Sequence, residues 1–198
     1  MNKTIGIINY GVGNHYTLKF FFKSLGYRTI LSNRTDVLEG VDIIVLPGVG
    51  SFKQAMSSIK KNRLDRFIKN ISKSNKCIIG ICLGAQILLE QSFEDGLSSG
   101  LGLIPGKVIP FKKNLCHIGW NEVISFSESE KITNQNDFYF NHSFFIKCPD
   151  KYVEESCIFK SEKFPAIVRK ENIIGIQFHP EKSQIHGREL IRRFLRNA

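Results

Sequence analysis

Residues 77–86 read Cys77-Ile78-Ile79-Gly80-Ile81-Cys82-Leu83-Gly84-Ala85-Gln86. An apolar run leads into a glycine-flanked turn, and a helix-compatible segment follows. The expected elements are a buried strand from Cys77 to Gly80 and a helix from Leu83 to Gln91. Between them, Gly80-Ile81-Cys82-Leu83-Gly84 has the pattern of a nucleophile elbow, G-x-S-x-G, with cysteine in place of serine. Glycines flank the nucleophile because side chains would clash in so tight a turn. The turn lifts the sulfur to the C-terminal edge of a sheet and sets it near the N-terminus of the next helix, whose dipole favours a thiolate. On the pentapeptide alone, a buried cysteine between two loop glycines explains the pattern equally well.

The chain on either side of this stretch sets the architecture. Short apolar runs, Ile5 to Asn9, Tyr27 to Leu31 and Asp42 to Leu46, alternate with amphipathic segments, Asn14 to Leu25 and Phe52 to Ser72, the latter in one or two pieces. Strands that are apolar throughout, in β-α-β-α order, predict a parallel sheet covered on both faces. After Gly106 the texture changes. Lys107 to Phe111, Asn121 to Phe126, Phe138 to Lys147, Tyr152 to Lys160 and Ala166 to Lys170 follow one another without clear helices. They predict an antiparallel or mixed β layer added to the parallel core. Ile173 to Gln177 returns to the core, and Ser183 to Asn197 closes the chain as a helix. With no internal repeat and no linker, residues 1–198 are expected to form one domain.

Composition narrows the function classes. The 42% hydrophobic and 23% charged residues are those of a globular protein. No apolar run approaches the roughly 18–20 residues of a membrane span, and the start of the chain lacks a signal-peptide pattern, so the cytoplasm is the expected compartment. The five cysteines, at 77, 82, 116, 148 and 157, show neither a Cys-x-x-Cys pair nor zinc-like spacing with histidine, so no metal or cofactor is expected. The formal net charge is +10. Its lysines and arginines are spread over helical stretches, not interleaved with aromatics as in an RNA-binding sheet. Solvated helix faces account for them, and no nucleic-acid partner is expected.

A cysteine nucleophile needs a base, and the base needs an orienting group. Gln177-Phe178-His179-Pro180-Glu181-Lys182 supplies both, directly after the late apolar strand. In extended chain His179 and Glu181, two apart, project to the same side, leaving the other imidazole nitrogen for the sulfur. An exposed His and Glu in a strand-end loop is the plainer explanation, but two such features at the ends of core strands favour catalysis. A third feature is Pro47-Gly48-Val49-Gly50 after another strand. Its small residues leave backbone N–H groups free for an oxyanion, although Pro-Gly is also an ordinary turn.

At this point the residues resemble a known family. Gly-Ile-Cys-Leu-Gly-Ala-Gln at 80–86 with His-Pro-Glu at 179–181 resembles the class I, triad-type glutamine amidotransferases. Asn9 to Asn14, Pro47 to Gly50, Gly100 to Gly106, His117 to Asn121, Tyr139 to Ser143 and Gln177 to Gln184 extend the likeness along nearly the whole chain. Together they resemble the glutaminase subunits of imidazole glycerol phosphate synthases. The resemblance implies an open, mostly parallel twisted sheet of the flavodoxin-like kind, with helices on both faces. It implies that Cys82 attacks the amide of L-glutamine to form a thioester, that His179 moves the proton and that Glu181 orients it. Val49, Gly50 and Leu83 would supply oxyanion donors, in part after a peptide flip. Gly50, Gln86, Glu94, His142, Ser143 and Phe144 would line the glutamine pocket. Asn14, Trp120, Tyr139 and Lys182 would face a (β/α)₈-barrel synthase subunit, to which the ammonia passes for imidazole glycerol phosphate and AICAR formation in histidine biosynthesis. Two departures stand out. Cys116 occupies a usual proline position, and His15-Tyr16-Thr17 replaces Leu-x-Ser. Both are expected at the partner interface, and they leave open a paralogue that feeds ammonia to amidino-sugar synthesis.

Overall fold

Apolar alternation accounts for the two-sided core. In the computed structural model, which describes residues 3–125 and 137–196, Ile43 and Val45 of one strand join one core cluster while Ile44 and Leu46 join the other. A strand buried on both faces has no polar side, so each face must be covered. Burying such an aliphatic side chain contributes roughly 1.5–3 kcal/mol.

The first half runs β1 (Thr4–Ile8), α1 (His15–Ser24), β2 (Arg28–Ser32), α2 (Thr35–Glu39), β3 (Ile43–Leu46), α3 (Phe52–Lys61), α4 (Leu64–Ile71), β4 (Cys77–Ile81) and α5 (Leu83–Gln86). The second half runs β5 (Gln91–Ser92), β6 (Ser98–Ser99), β7 (Lys107–Pro110), β8 (His117–Ser125), β9 (Asp137–His142), β10 (Phe144–Lys147), β11 (Val153–Phe159), β12 (Glu162–Lys170), β13 (Ile173–Ile176) and α6 (Gln184–Arg196). The large sheet has the order β2-β1-β3-β4-β13-β12-β11-β8-β9. Its β2 to β13 portion is parallel and the remainder antiparallel. α1 and α6 cover one face through Leu18, Phe22, Leu190 and Phe194. α3 and α4 cover the other through Phe52, Ile59, Leu64 and Ile68. A smaller mixed sheet has the order β10-β7-β5-β6.

The architecture is the one expected, with local differences. The antiparallel strands mostly extend the large sheet edge to edge, and the separate layer is the small second sheet. The run Phe138 to Lys147 splits at Ser143, with β9 in the large sheet and β10 in the small one. The helix expected to reach Gln91 ends at Gln86. The carbonyls of Ile87, Leu88 and Leu89, which would have continued it, accept from the amides of Leu101, Leu103 and Gly102. The stretch from Phe52 to Ser72 does divide, at Arg63, whose φ of 57° is left-handed. The short α2 was not expected. Phe126 and Asn197, expected in a strand and a helix, lie outside the described residues. Among the described residues no helix is long and apolar enough to cross a membrane.

Candidate active site

β4 and β13 lie side by side in parallel, Gly80 opposite Gly175 and Ile81 opposite Ile176. Their C-terminal ends therefore deliver Cys82 and His179 to one edge of the sheet. Cys82 has φ 51° and ψ −109°, a conformation that L side chains rarely adopt and that costs on the order of 1–3 kcal/mol. The surroundings hold it there. Its amide donates to the Ile176 carbonyl at 2.7 Å, and its carbonyl accepts from Ala85 and Gln86 at 3.0 and 3.1 Å. Glycine is required around it because backbone meets backbone. A Cβ on Gly84 would stand 2.0 Å from the Leu46 carbonyl oxygen, and one on Gly48 would stand 1.8 Å from that of Ile81.

His179 is held from the other side. Its amide donates to the Tyr139 carbonyl at 2.8 Å, and Ser183 Oγ donates to its carbonyl at 2.6 Å. The chain does not run extended beyond it, as expected, but turns as a 3-10 helix over Pro180–Lys182. That turn still brings Glu181 Oε1 to within 2.7 Å of His179 Nδ1, with both side chains fully buried. Burial alone would lower the imidazole's pKa. The Cys82 sulfur and the Glu181 carboxylate outweigh this and raise it to about 10. The remaining nitrogen, Nε2, is buried and left to interact with the Cys82 sulfur. Such a trio can hold an imidazolium against a thiolate, the starting state for nucleophilic attack with a proton ready for the leaving group.

A pocket of about 290 Å³ opens over Cys82. Small-molecule sites usually span roughly 300–1,000 Å³, so it suits a small substrate. Gly48, Val49, Gly50, Leu83, Gln86, Glu94, Ser143 and Phe144 line it, together with Cys116, Asn141 and His142. The residues expected around an oxyanion and around glutamine are thus gathered at one sulfur. Gln86 Nε2 donates to the Phe144 carbonyl at 2.7 Å, and His142 Nδ1 approaches the same oxygen at 2.8 Å. Glu94 accepts from the Phe52 amide at 3.1 Å, and its burial raises its pKa.

A model of the family glutamine amidotransferase class-I matches residues 7–198. This chain belongs to that family. Among curated proteins the amidotransferase is 39% identical over 198 residues to a Lactococcus lactis protein named imidazole glycerol phosphate synthase subunit HisH, covering 98% of each chain. A Bacillus subtilis protein of the same name is 36% identical over 208 residues, covering 98% of this chain and 96% of that one. The fold matches PurLQS from Thermotoga maritima with a TM-score of 0.80 at 19% identity, covering 100% of this chain and 99% of that one.

Three features of the amidotransferase add detail to the sequence expectation. His142 lines the pocket, and its ring is buried. It packs among Phe111, His117, Phe140 and Phe164 at centroid distances of 5.2–5.6 Å, because β9 alternates and Phe138, Phe140 and His142 share its core side. Cys116, an exposed residue, also lines the pocket, with Sγ 3.7 Å from the His142 carbonyl oxygen. Asn14 points inward, and its Nδ2 donates to Glu181 Oε1 at 2.5 Å. Gln177 was not singled out by sequence, yet its Nε2 lies 4.0 Å from the Cys82 sulfur. Its place one residue beyond β13, two before His179, was the available signal.

Of the residues assigned to a docking face, Trp120 is 48% exposed and stands edge-on to Tyr139 at 6.0 Å. The exposed Lys182 places its ammonium over the Tyr139 ring at 5.4 Å. These are not core aromatics. They form a patch that begins at the Tyr139 ring, 6.5 Å from that of His179.

Proposed function

We propose that this amidotransferase, acting as one domain over its whole length in the cytoplasm, hydrolyses L-glutamine to L-glutamate and ammonia and delivers the ammonia to a (β/α)₈-barrel subunit. The observation that carries the reading is the left-handed Cys82 at the base of the pocket, with a buried His179–Glu181 pair behind it. The Cys82 thiolate attacks the side-chain amide carbon of glutamine. Backbone N–H groups of Val49, Gly50 and Leu83 hold the oxyanion. His179 Nε2 gives its proton to the departing nitrogen, so ammonia leaves and a glutamyl thioester remains. Water then adds to the thioester, His179 takes its proton, and glutamate departs with the thiolate restored. Glu181 stays ionised and keeps Nδ1 in place. Glu94 pairs with the substrate's ammonium, and Gln86, His142, Ser143 and Phe144 shape the pocket.

The names of the relatives, which align over nearly the full chain, support imidazole glycerol phosphate synthase as the assembly and histidine biosynthesis as the pathway. They favour this acceptor over a sugar-modifying one. Trp120, Tyr139 and Lys182 form the docking patch, and the ammonia serves formation of imidazole glycerol phosphate and AICAR on the partner. In the purified complex, Cys82→Ala should abolish glutamine-dependent synthesis and leave ammonium-dependent synthesis intact, since the acceptor site is on the other subunit. Glutamine hydrolysis by Cys82→Ala at the wild-type rate would refute the mechanism.

A further inference from the structure

The loop between β1 and α1 braces the pocket. The Tyr10 hydroxyl donates to the Pro47 carbonyl. A Cβ on Gly13 would stand 3.2 Å from the Pro47 ring, and one on Gly50 would stand 2.5 Å from Val12 Cγ1. Asn14 reaches further than these. Its Nδ2 donates to Glu181 Oε1 at 2.5 Å, while its Oδ1 accepts from the Gly48 amide at 3.3 Å. Glu181 Oε1 thus receives donors from Asn14 and His179, whereas Oε2 is buried with no partner among the described residues.

We infer that Asn14 is a positioning residue whose carboxamide ties the carboxylate that orients His179 to the turn that lines the pocket over Cys82. The inference rests on the reading of Cys82, His179 and Glu181 as a glutamine-hydrolysing triad. A carboxamide suits the place because it offers a donor at one end and an acceptor at the other. Aspartate would set oxygen against the Glu181 carboxylate, and leucine would offer neither group. With Asn14 lost, Glu181 keeps only the imidazole as a side-chain donor and is free to turn its charge toward solvent. The imidazolium then loses its counter-charge at the same time as the pocket turn loses a restraint. Because Asn14 is half-buried beside α1, a partner pressing on this loop would move carboxylate and turn together.

The test uses the complete chain as Asn14→Leu and as Asn14→Asp, which keeps an acceptor for the Gly48 amide but loses the donor to Glu181. In glutaminase assays with the barrel subunit, both should lower kcat by about 10- to 100-fold while KM changes less than about threefold. In a ¹⁵N-imidazole NMR titration of the isolated chain, the His179 midpoint should fall by about one pH unit in Asn14→Leu. Cys82, Glu181, Tyr139 and His142 are the titratable groups around His179, and none is altered. An unmoved midpoint overturns the inference, even if kcat falls, because a loss of packing alone would leave the titration where it was. If the wild-type complex released no glutamate, the triad reading would fall, and the titration would still decide whether Asn14 acts on His179.

Discussion

His179, beside Cys82, and the buried pair His117 and His142 have surroundings that give them opposite protonation behaviour. His179 is raised by the sulfur and carboxylate around it, to about 10, whereas burial lowers His117 to about 4 and His142 to about 3. His179 is therefore the one poised to carry a proton. His179→Ala should cut glutamate release by roughly 10⁴-fold or more, as loss of a triad base does elsewhere. Glu181→Gln should cost less, since an amide oxygen still faces Nδ1; equal losses in steady-state assays would contradict these roles. The two neutral histidines make a separate prediction. In the unfolded chain they titrate near 6.5, so below that pH the unfolded state binds protons that the folded state refuses. Stability should then fall as pH drops from about 6.5 toward about 4, by up to about 1.4 kcal/mol per histidine per pH unit. Urea midpoints at pH 7 and pH 5 measure this, and equal midpoints would contradict it. Cys82, His179 and Glu181 were legible in sequence because tight turns at strand ends leave short-range marks. The inward turn of the His142 ring and the two-ended bond of Asn14 were not, since both depend on partners distant in the chain.

Glycines set how closely β3 and β4 can approach through their following turns. Gly48 packs its Cα against the elbow, and an added methyl would meet the Ile81 carbonyl and the amides of Leu83 and Gly84. All three are backbone atoms, so no side-chain rotation relieves the clash. Gly48→Ala should destabilise the protein by about 1–3 kcal/mol and lower glutaminase activity by displacing Cys82. Chemical denaturation together with steady-state assays checks both, and wild-type values would show that the turn has slack. Periodicity made the parallel strands and the helical stretch from Phe52 to Ser72 readable. It could not show that α5 stops after Gln86, because the helix is ended by amides from residues 101–103, which compete for its carbonyls. Nor could it divide Phe138 to Lys147 between two sheets, since aromatic residues recur on both sides of Ser143, which alone marks the break.

The large sheet delivers Cys82 and His179 to one edge, and the patch of Trp120, Tyr139 and Lys182, proposed above as the docking surface, adjoins that edge. A glutaminase that works for another subunit wastes glutamine if it runs alone, so control is expected where the partner docks. The Pro47–Gly50 turn suits this control. Gly50 has φ +115°, a conformation open to glycine, and a peptide rotation beside it would add or remove an oxyanion donor worth about 10²–10³ in rate. The most direct measurement mixes the chain with glutamine, with and without the barrel subunit and its acceptor ligand, and stops the reaction within milliseconds in acid. Peptide mapping by mass spectrometry should then find a glutamyl thioester on Cys82, formed orders of magnitude faster with the partner present. An adduct on Cys77, Cys116, Cys148 or Cys157 instead, or glutamate accumulating with Cys82 unmodified throughout, would contradict the assignment.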